Sequence, residues 1–89
     1  MALTAERKKE IMLEYGTGDN DTGSTSVQIA LLTEQIQVLS NHLRGNGKDH
    51  HGLRGLLRMV GKRKRLLKYL EQKDFDGYKA LIARLGIRR

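Results

Sequence analysis

The longest run of regularly spaced apolar residues lies between positions 29 and 43. It consists of Ile29, Leu32, Ile36, Leu39 and Leu43. Intervals of three and four residues are typical of one face of a helix. Ser24 and Thr25 are both suitable N-cap residues just before the run, so we predict a helix from about Ser24 to Arg44.

A second helix is predicted directly after a short turn. The segment Gly45-Asn46-Gly47-Lys48 is too short for anything but an antiparallel connection, so the two helices must be neighbours. Asp49 is the expected N-cap of this helix, which we place from about His50 to Gln72. The residues expected to face the preceding helix are Leu53, Leu56, Leu57, Val60, Leu67 and Leu70. Each helix should be roughly 30 Å long, which makes a matched hairpin.

Two shorter helices flank this hairpin. The first runs from Thr4, its N-cap, to about Tyr15, and the glycine-rich segment from Gly16 to Gly23 is expected to be a linker. The last helix is capped by Asp74 and ends at Gly86. We therefore predict an all-α fold of four helices in a single domain, residues 1–89. Residues 24–89 form a three-helix core, and residues 1–16 form an N-terminal helix or arm that is expected to be mobile.

Charge is concentrated on one predicted helix. The chain has a formal net charge of +7, and residues 50–73 alone carry eight Lys and Arg residues against one acid. Such a localised excess is typical of a surface that binds a polyanion. The chain has no cysteine and no apolar run long enough to span a membrane, and its N-terminus does not resemble a signal peptide. We expect a cytoplasmic protein that is monomeric when free and makes no membrane contact.

Uncharged polar residues mark a second feature of the predicted hairpin. Gln28, Gln35 and His42 are spaced seven residues apart and so share one stripe. A second stripe on the basic helix consists of Arg58, Lys62, Arg65 and Tyr69. Because the helices are antiparallel, these groups form two patches about 20 Å apart, one at each end. This layout favours folded RNA over DNA, whose readers of this size usually present one compact recognition helix.

Catalytic and metal-binding interpretations are weaker. Of the three histidines, His50 and His51 are adjacent and point in different directions on a helix, which does not suit chelation. His42 and Asp49 could approach across the turn, but the spacing matches no common metal motif. No nucleophile has an assigned base, and the glycines match no nucleotide-binding pattern. We predict no enzyme activity, no metal and no cofactor.

Three segments resemble the S-fifteen family of bacterial small-subunit ribosomal proteins. They are DTGSTSVQIALLTEQI, KDHHGLRGLLRMVGKRKRLLKYL and YKALIARLGIRR. The resemblance implies a four-helix protein that binds the central domain of small-subunit ribosomal RNA at a three-way junction and at a nearby G-U/G-C feature in a minor groove. It also implies contacts with neighbouring small-subunit proteins, a bridge to large-subunit RNA and, in some members, binding of their own messenger RNA.

The same resemblance assigns roles to individual residues. The junction contacts it implies are Thr22, Gly23, Gln28, Arg65 and Tyr69. The minor-groove contacts are His42 and Asp49, while the family's third minor-groove residue, a serine, is replaced by Gly52. A bond at Gly52 would have to come from its backbone amide or from water. Apart from the resemblance, the basic charge of the helix predicts that phosphates are neutralised by Arg58, Lys62, Arg63 and Lys64.

Two other classes of function remain open from the residues alone. One is a helical protein-interaction module whose basic face meets an acidic partner. Its best support is that Val27, Leu31 and Val38 widen the apolar face of the second helix. The other is a non-specific nucleic-acid-binding protein, which would use the basic charge without preferring a folded junction.

Overall fold

The chain is an all-α protein, as predicted. The structure, a computed structural model, describes residues 4–16, 21–45 and 49–87, without the side chains of residues 21–24. Within these ranges it contains four helices and no strand: α1 (Ala5–Tyr15), α2 (Asp21–Gly45), α3 (His50–Lys73) and α4 (Phe75–Leu85). The turn residues 46–48 and the last two arginines lie outside the described residues.

The long helices α2 and α3 form the predicted antiparallel hairpin. At one end Gly52 lies so close to α2 that a Cβ atom added to it would be 2.9 Å from Leu43 Cδ2. At the other end Ile29 and Leu70 share one buried cluster. The pairing of residue 43 with 52 and of residue 29 with 70 is the register that an antiparallel hairpin requires.

The core lies where α1 and α4 pack onto this hairpin. Its buried hydrophobic residues are Ile11, Ile29, Ala30, Leu32, Leu39, Leu70, Tyr78 and Leu81. Asp74 caps α4 by accepting a hydrogen bond from the Gly77 amide at 3.0 Å, and Gly86 ends the helix at φ 67°. This left-handed conformation is one that glycine adopts without steric cost, so the predicted end of the helix is confirmed.

The start of α2 differs from our prediction. We expected a linker as far as Gly23 and a cap at Ser24 or Thr25, whereas the helix already begins at Asp21. Thr25, only 6% exposed, is packed inside the protein, so tertiary contacts hold the early part of the helix from this residue onward. Packing of this kind can outweigh the weak helix propensity of the Thr-Gly-Ser segment.

The apolar face of α3 also differs from our prediction. Leu53, Leu57 and Val60 were expected to face α2, but they are exposed. The line of α3 nearest α2 begins instead with Gly52 and Gly55, whose missing side chains allow a close approach. Because α4 has only 11 residues and follows the end of α3 directly, it cannot cover the first half of α3.

The N-terminal helix is packed onto α2. Ile11 is buried, and Arg7 donates two hydrogen bonds to the Glu34 carboxylate, one of them 2.7 Å long from Nη2 to Oε1. At the end of α1, the Arg84 guanidinium lies 4.4 Å from the centroid of the Tyr15 ring. These contacts define one docked position for α1. Its expected mobility stays a prediction.

We predict that acid loosens α1. The hydrogen bonds from Arg7 hold the pKa of Glu34 below its ordinary value of 4.5, in spite of partial burial, which acts in the opposite direction. A carboxyl group with a lowered pKa contributes stability above its unfolded-state pKa and loses it as the pH falls through the folded-state value. When the pH is lowered beneath about 4.5, the amide-exchange protection factors of residues 5–15 should therefore decrease more than those of α3.

The matched control for this prediction is Glu34→Gln. This variant keeps a hydrogen-bonding side chain but has no carboxyl group to titrate, so its α1 should be loosened at every pH. An equal loss of α1 protection with acid in the wild type and in Glu34→Gln would contradict the prediction.

Candidate nucleic-acid interface

A continuous basic stripe runs along α3. Arg58, Lys62, Arg65 and Tyr69, which we call the basic stripe, are all exposed, and their spacing of four, three and four residues keeps them on one line. Glu71, the single acid between residues 50 and 73, lies on a different side of α3. The basic stripe therefore presents cations with no acidic side chain of α3 among them.

The glutamine stripe of α2, formed by Gln28, Gln35 and His42, lies next to the basic stripe of α3. It lies roughly 100° around α2 from the line that faces α3, and the basic stripe lies about 100° around α3 from the line that faces α2. Because the two helices run in opposite directions, both stripes are displaced towards the same side of the hairpin. Both stripes thus lie on one face of the hairpin, and α1 and α4 pack on the other side.

His42 and Asp49 meet at the end of the hairpin where the two helices are joined. His42 Nε2 lies 3.8 Å from Asp49 Oδ2, and both side chains are about one third exposed. The other carboxylate oxygen, Oδ1, accepts a hydrogen bond of 2.9 Å from the Gly52 amide and so caps α3. One aspartate therefore caps α3 and also lies beside the His42 imidazole.

Gly52 contributes through its small size. A Cβ atom at this position would lie 2.7 Å from Asp49 Oδ2 and 2.9 Å from Leu43 Cδ2, so any side chain would displace both neighbours. The Gly52 amide, which was one possible donor to RNA, instead donates to Asp49. Because glycine has no side chain, α3 can come close to Leu43 and to the capping carboxylate of Asp49 at this position.

At the opposite end of the hairpin, the first turn of α2 lies beside the last turns of α3. Thr22 and Gly23 belong to that first turn, and their side chains lie outside the described residues. Backbone amides in a first turn have no carbonyl partner within their own helix, which is why helix N-termini commonly bind anions. Exposed Gln28 is on α2, and exposed Arg65 and Tyr69 are on α3.

The four cations assigned to phosphates do not share one surface. Arg58 and Lys62 lie on the basic stripe, but Arg63 is half-buried and donates a hydrogen bond of 3.3 Å to Thr33 Oγ1 on α2. Burial lowers the pKa of the Arg63 guanidinium. Lys64 is exposed, yet it lies roughly 130° around α3 from the basic stripe. The structure thus separates Arg63 and Lys64 from the other two.

One residue of this face was missed from sequence. His51 is exposed and precedes Arg58 by seven residues, so it extends the basic stripe towards Asp49. From its position next to His50 it stands out only as a possible metal ligand. The spacing of His51, Arg58 and Arg65 would have identified it.

Neither a metal centre nor a membrane span is found in the part of the chain that the structure describes. No group of three or more His, Cys, Asp or Glu side chains there is arranged to hold a metal ion. Among the same residues, no helix is both long and apolar enough to cross a membrane.

Replacing Asp49 by alanine should destabilise the protein by about 1 kcal/mol, because it removes the N-cap of α3. Asp49→Asn retains an oxygen that can accept from Gly52 and should cost only a few tenths of a kcal/mol, roughly the difference between good caps. Urea denaturation of the two variants measures both values. Equal destabilisation by the two substitutions would show that the charge, and not the cap, is what stabilises α3.

Comparison with known proteins places these features in a family. The sequence model described as "Ribosomal protein S15" matches residues 8–88. The chain is 57% identical over 89 residues to the "Small ribosomal subunit protein uS15" of Syntrophomonas wolfei, covering all of both chains. It is 58% identical, again over the full length of both chains, to the proteins of the same name from Halalkalibacterium halodurans and Corynebacterium kroppenstedtii.

Proposed function

Since this chain belongs to the ribosomal protein S15 family and is a structural, non-enzymatic constituent of the small ribosomal subunit, we propose that it binds the central domain of small-subunit ribosomal RNA at a three-way junction. The observation that carries this proposal is the common face of the glutamine stripe and the basic stripe. This face is polar and cationic along the whole hairpin, whereas α1 and α4 are on the other side.

The two ends of the hairpin would make different contacts. At one end, the first-turn amides of α2 at Thr22 and Gly23 would bind a phosphate, while Arg65 pairs with another phosphate of the junction backbone. The Tyr69 ring, 38% exposed, offers an aromatic surface for an unstacked base. Gln28 would complete the site with a side-chain hydrogen bond.

The other end would read a minor groove. In RNA helices this groove is wide and shallow and exposes the 2′-hydroxyls and base edges. His42 and Asp49 supply a donor and an acceptor at one position, held by the cap of α3. The serine hydroxyl of the family is missing at Gly52, and the Gly52 amide is used within the protein. We infer that His42 and Asp49 alone supply the direct contacts here.

Between the ends, the cations of the basic stripe would neutralise phosphates along the RNA. Arg58 and Lys62 are suitably placed for this role. We assign Arg63 instead to holding α2 and α3 together through Thr33, since its guanidinium is half-buried. Lys64 belongs to the side of α3 that faces away from the proposed RNA.

Bound in this way, the protein would help to order the platform of the small subunit for proteins that bind later. Its outer surface would contribute to a bridge with large-subunit RNA. A messenger that folds into a similar junction could compete for the same face, which would allow the protein to regulate its own synthesis.

Chemical footprinting of a central-domain RNA fragment tests the proposal. We expect two protected regions, one at the junction and one in a minor groove, separated by roughly 20 Å in the folded RNA. His42→Ala should abolish the second protection and leave the first. Uniform weak protection along the RNA, unchanged in His42→Ala, would contradict the proposal and favour a non-specific nucleic-acid-binding protein.

A protein-interaction module is not favoured as the main function of the chain. The best support for that interpretation was the wide apolar face of α2. In the described part of α2 no large apolar side chain is exposed, because α1, α3 and α4 cover this face.

A further inference from the structure

A row of exposed apolar side chains runs along the first half of α3. Leu57 is 63% exposed, Leu53 is 48% exposed and Val60 is 37% exposed. Intervals of four and three residues place these side chains, which we call the apolar row, on one line of the helix. Single apolar residues scattered over a surface are normal, whereas adjacent exposed apolar side chains form the kind of patch that is found at interaction sites.

A groove between α3 and α4 continues the apolar row. It has a volume of about 430 Å³ and reaches from Val60 to the end of α3. Its lining includes the apolar residues Val60, Leu67 and Ile87, the cations Arg63, Lys64 and Lys68, and one acid, Glu71. The groove thus combines apolar side chains with a net positive charge, and the cations lie at the end of the row where α4 begins to cover α3.

This surface is separate from the proposed RNA-binding face. The apolar row lies roughly 150° around α3 from the basic stripe, on the side where α4 packs. A protein bound to RNA through the basic and glutamine stripes would therefore leave the apolar row and the groove accessible.

We propose that the apolar row and the groove bind an acidic amphipathic helix of a partner protein. From Leu53 to Glu71 the surface extends about 27 Å, which matches roughly five turns of helix. Apolar residues of the partner would pack on Leu53, Leu57 and Val60, as in other helix-in-groove complexes. Its carboxylates would pair with Lys64 and Lys68 at the groove and with the half-buried Arg63 guanidinium.

Charge and chemistry argue against two other occupants. A second copy of this chain would bring another net charge of +7 towards a helix that already carries all of that excess, and like charges oppose such an association. RNA would gain little from the apolar row, since leucine and valine side chains offer no hydrogen bond to phosphate, ribose or base edges. An acidic helix satisfies both parts of the surface.

The test uses a photoreactive amino acid at position 57 in full-length protein that has been assembled into small ribosomal subunits in bacteria. The control carries the same group at Leu13, an 85% exposed leucine on α1. We expect crosslinking at position 57, and not at position 13, to a protein segment that is acidic and amphipathic. A synthetic peptide of that segment should then bind the purified protein.

Substitution gives the second measurement. Leu57→Gln should weaken binding of the peptide roughly ten- to a hundredfold, because it removes one buried leucine from the complex. Leu13→Gln should have no effect, and both variants should bind the junction RNA as the wild type does. Peptide binding that is unaffected by Leu57→Gln, or crosslinks to RNA, to a second copy or to no partner, would overturn the proposal without affecting the proposed RNA-binding function.

Discussion

Replacing Arg58, Lys62 and Arg65 together by glutamine should weaken binding of the junction RNA roughly a hundredfold to a thousandfold at moderate salt. All three side chains are exposed on the basic stripe, so their loss should not affect folding. Each cation that contacts a phosphate adds about one unit to the slope of log K against log salt concentration. We therefore expect the magnitude of the slope to fall by about three units.

The matched control removes the same number of charges elsewhere. Lys8 and Lys9 on α1 and Lys79 on α4 are exposed and lie away from the proposed face. Their triple substitution by glutamine should change affinity only through the lower net charge, and the salt slope should stay almost constant. Equal losses in the two triple variants would mean that total charge, and not the basic stripe, determines RNA binding.

Leu70→Ala should lower the free energy of unfolding by about 2–5 kcal/mol, which is the usual cost of truncating a fully buried leucine. Leu70 is 1% exposed and shares a cluster with Ile29, Tyr78 and Leu81, so it joins α2, α3 and α4. For a domain of this size such a loss is a large part of the total stability. Chemical denaturation followed by circular dichroism measures it.

Leu57→Ala is the control on the same helix. Because this side chain is 63% exposed, the substitution should change the free energy of unfolding by no more than about 0.5 kcal/mol. A large loss for Leu57→Ala would instead indicate that this residue faces α2, as its helical spacing predicts.

Much of the fold follows from local features of the sequence. Thr4, Asp49 and Asp74 are the N-caps that their positions predicted, and Gly86 ends the last helix in the left-handed conformation. These signals are strong because each cap uses a side chain or a backbone freedom that acts within a few residues. The antiparallel hairpin follows in turn from the short connection after Gly45.

Features that depend on contacts between distant residues could not be predicted in this way. Helical periodicity identified the apolar positions of α3, but it cannot show which of them a neighbour covers. Leu57 and Val60 stay exposed because α4 is short and packs on the other half of α3. The same limit applies to Arg63, whose hydrogen bond to Thr33 joins residues 30 positions apart.

In the candidate site, too, some features could be predicted from local sequence and others depend on the three-dimensional arrangement. The stripes of α2 and α3 could be read from spacings of seven and of four and three residues. Their position on a common face needed the antiparallel register in three dimensions. The use of the Gly52 amide by Asp49 depends on the geometry of the cap, which the sequence signals only as a preference for aspartate at position 49.

We propose that the hairpin recognises the shape of a folded RNA junction and not merely the charge of the RNA. The most direct measurement compares the affinity of the protein for a three-way-junction RNA and for a plain duplex of equal length as salt is raised. We predict that the duplex complex weakens steeply while the preference for the junction persists or increases, because hydrogen bonds at the two ends depend less on salt than phosphate contacts do. Equal affinities for the two RNAs at moderate salt would contradict this account.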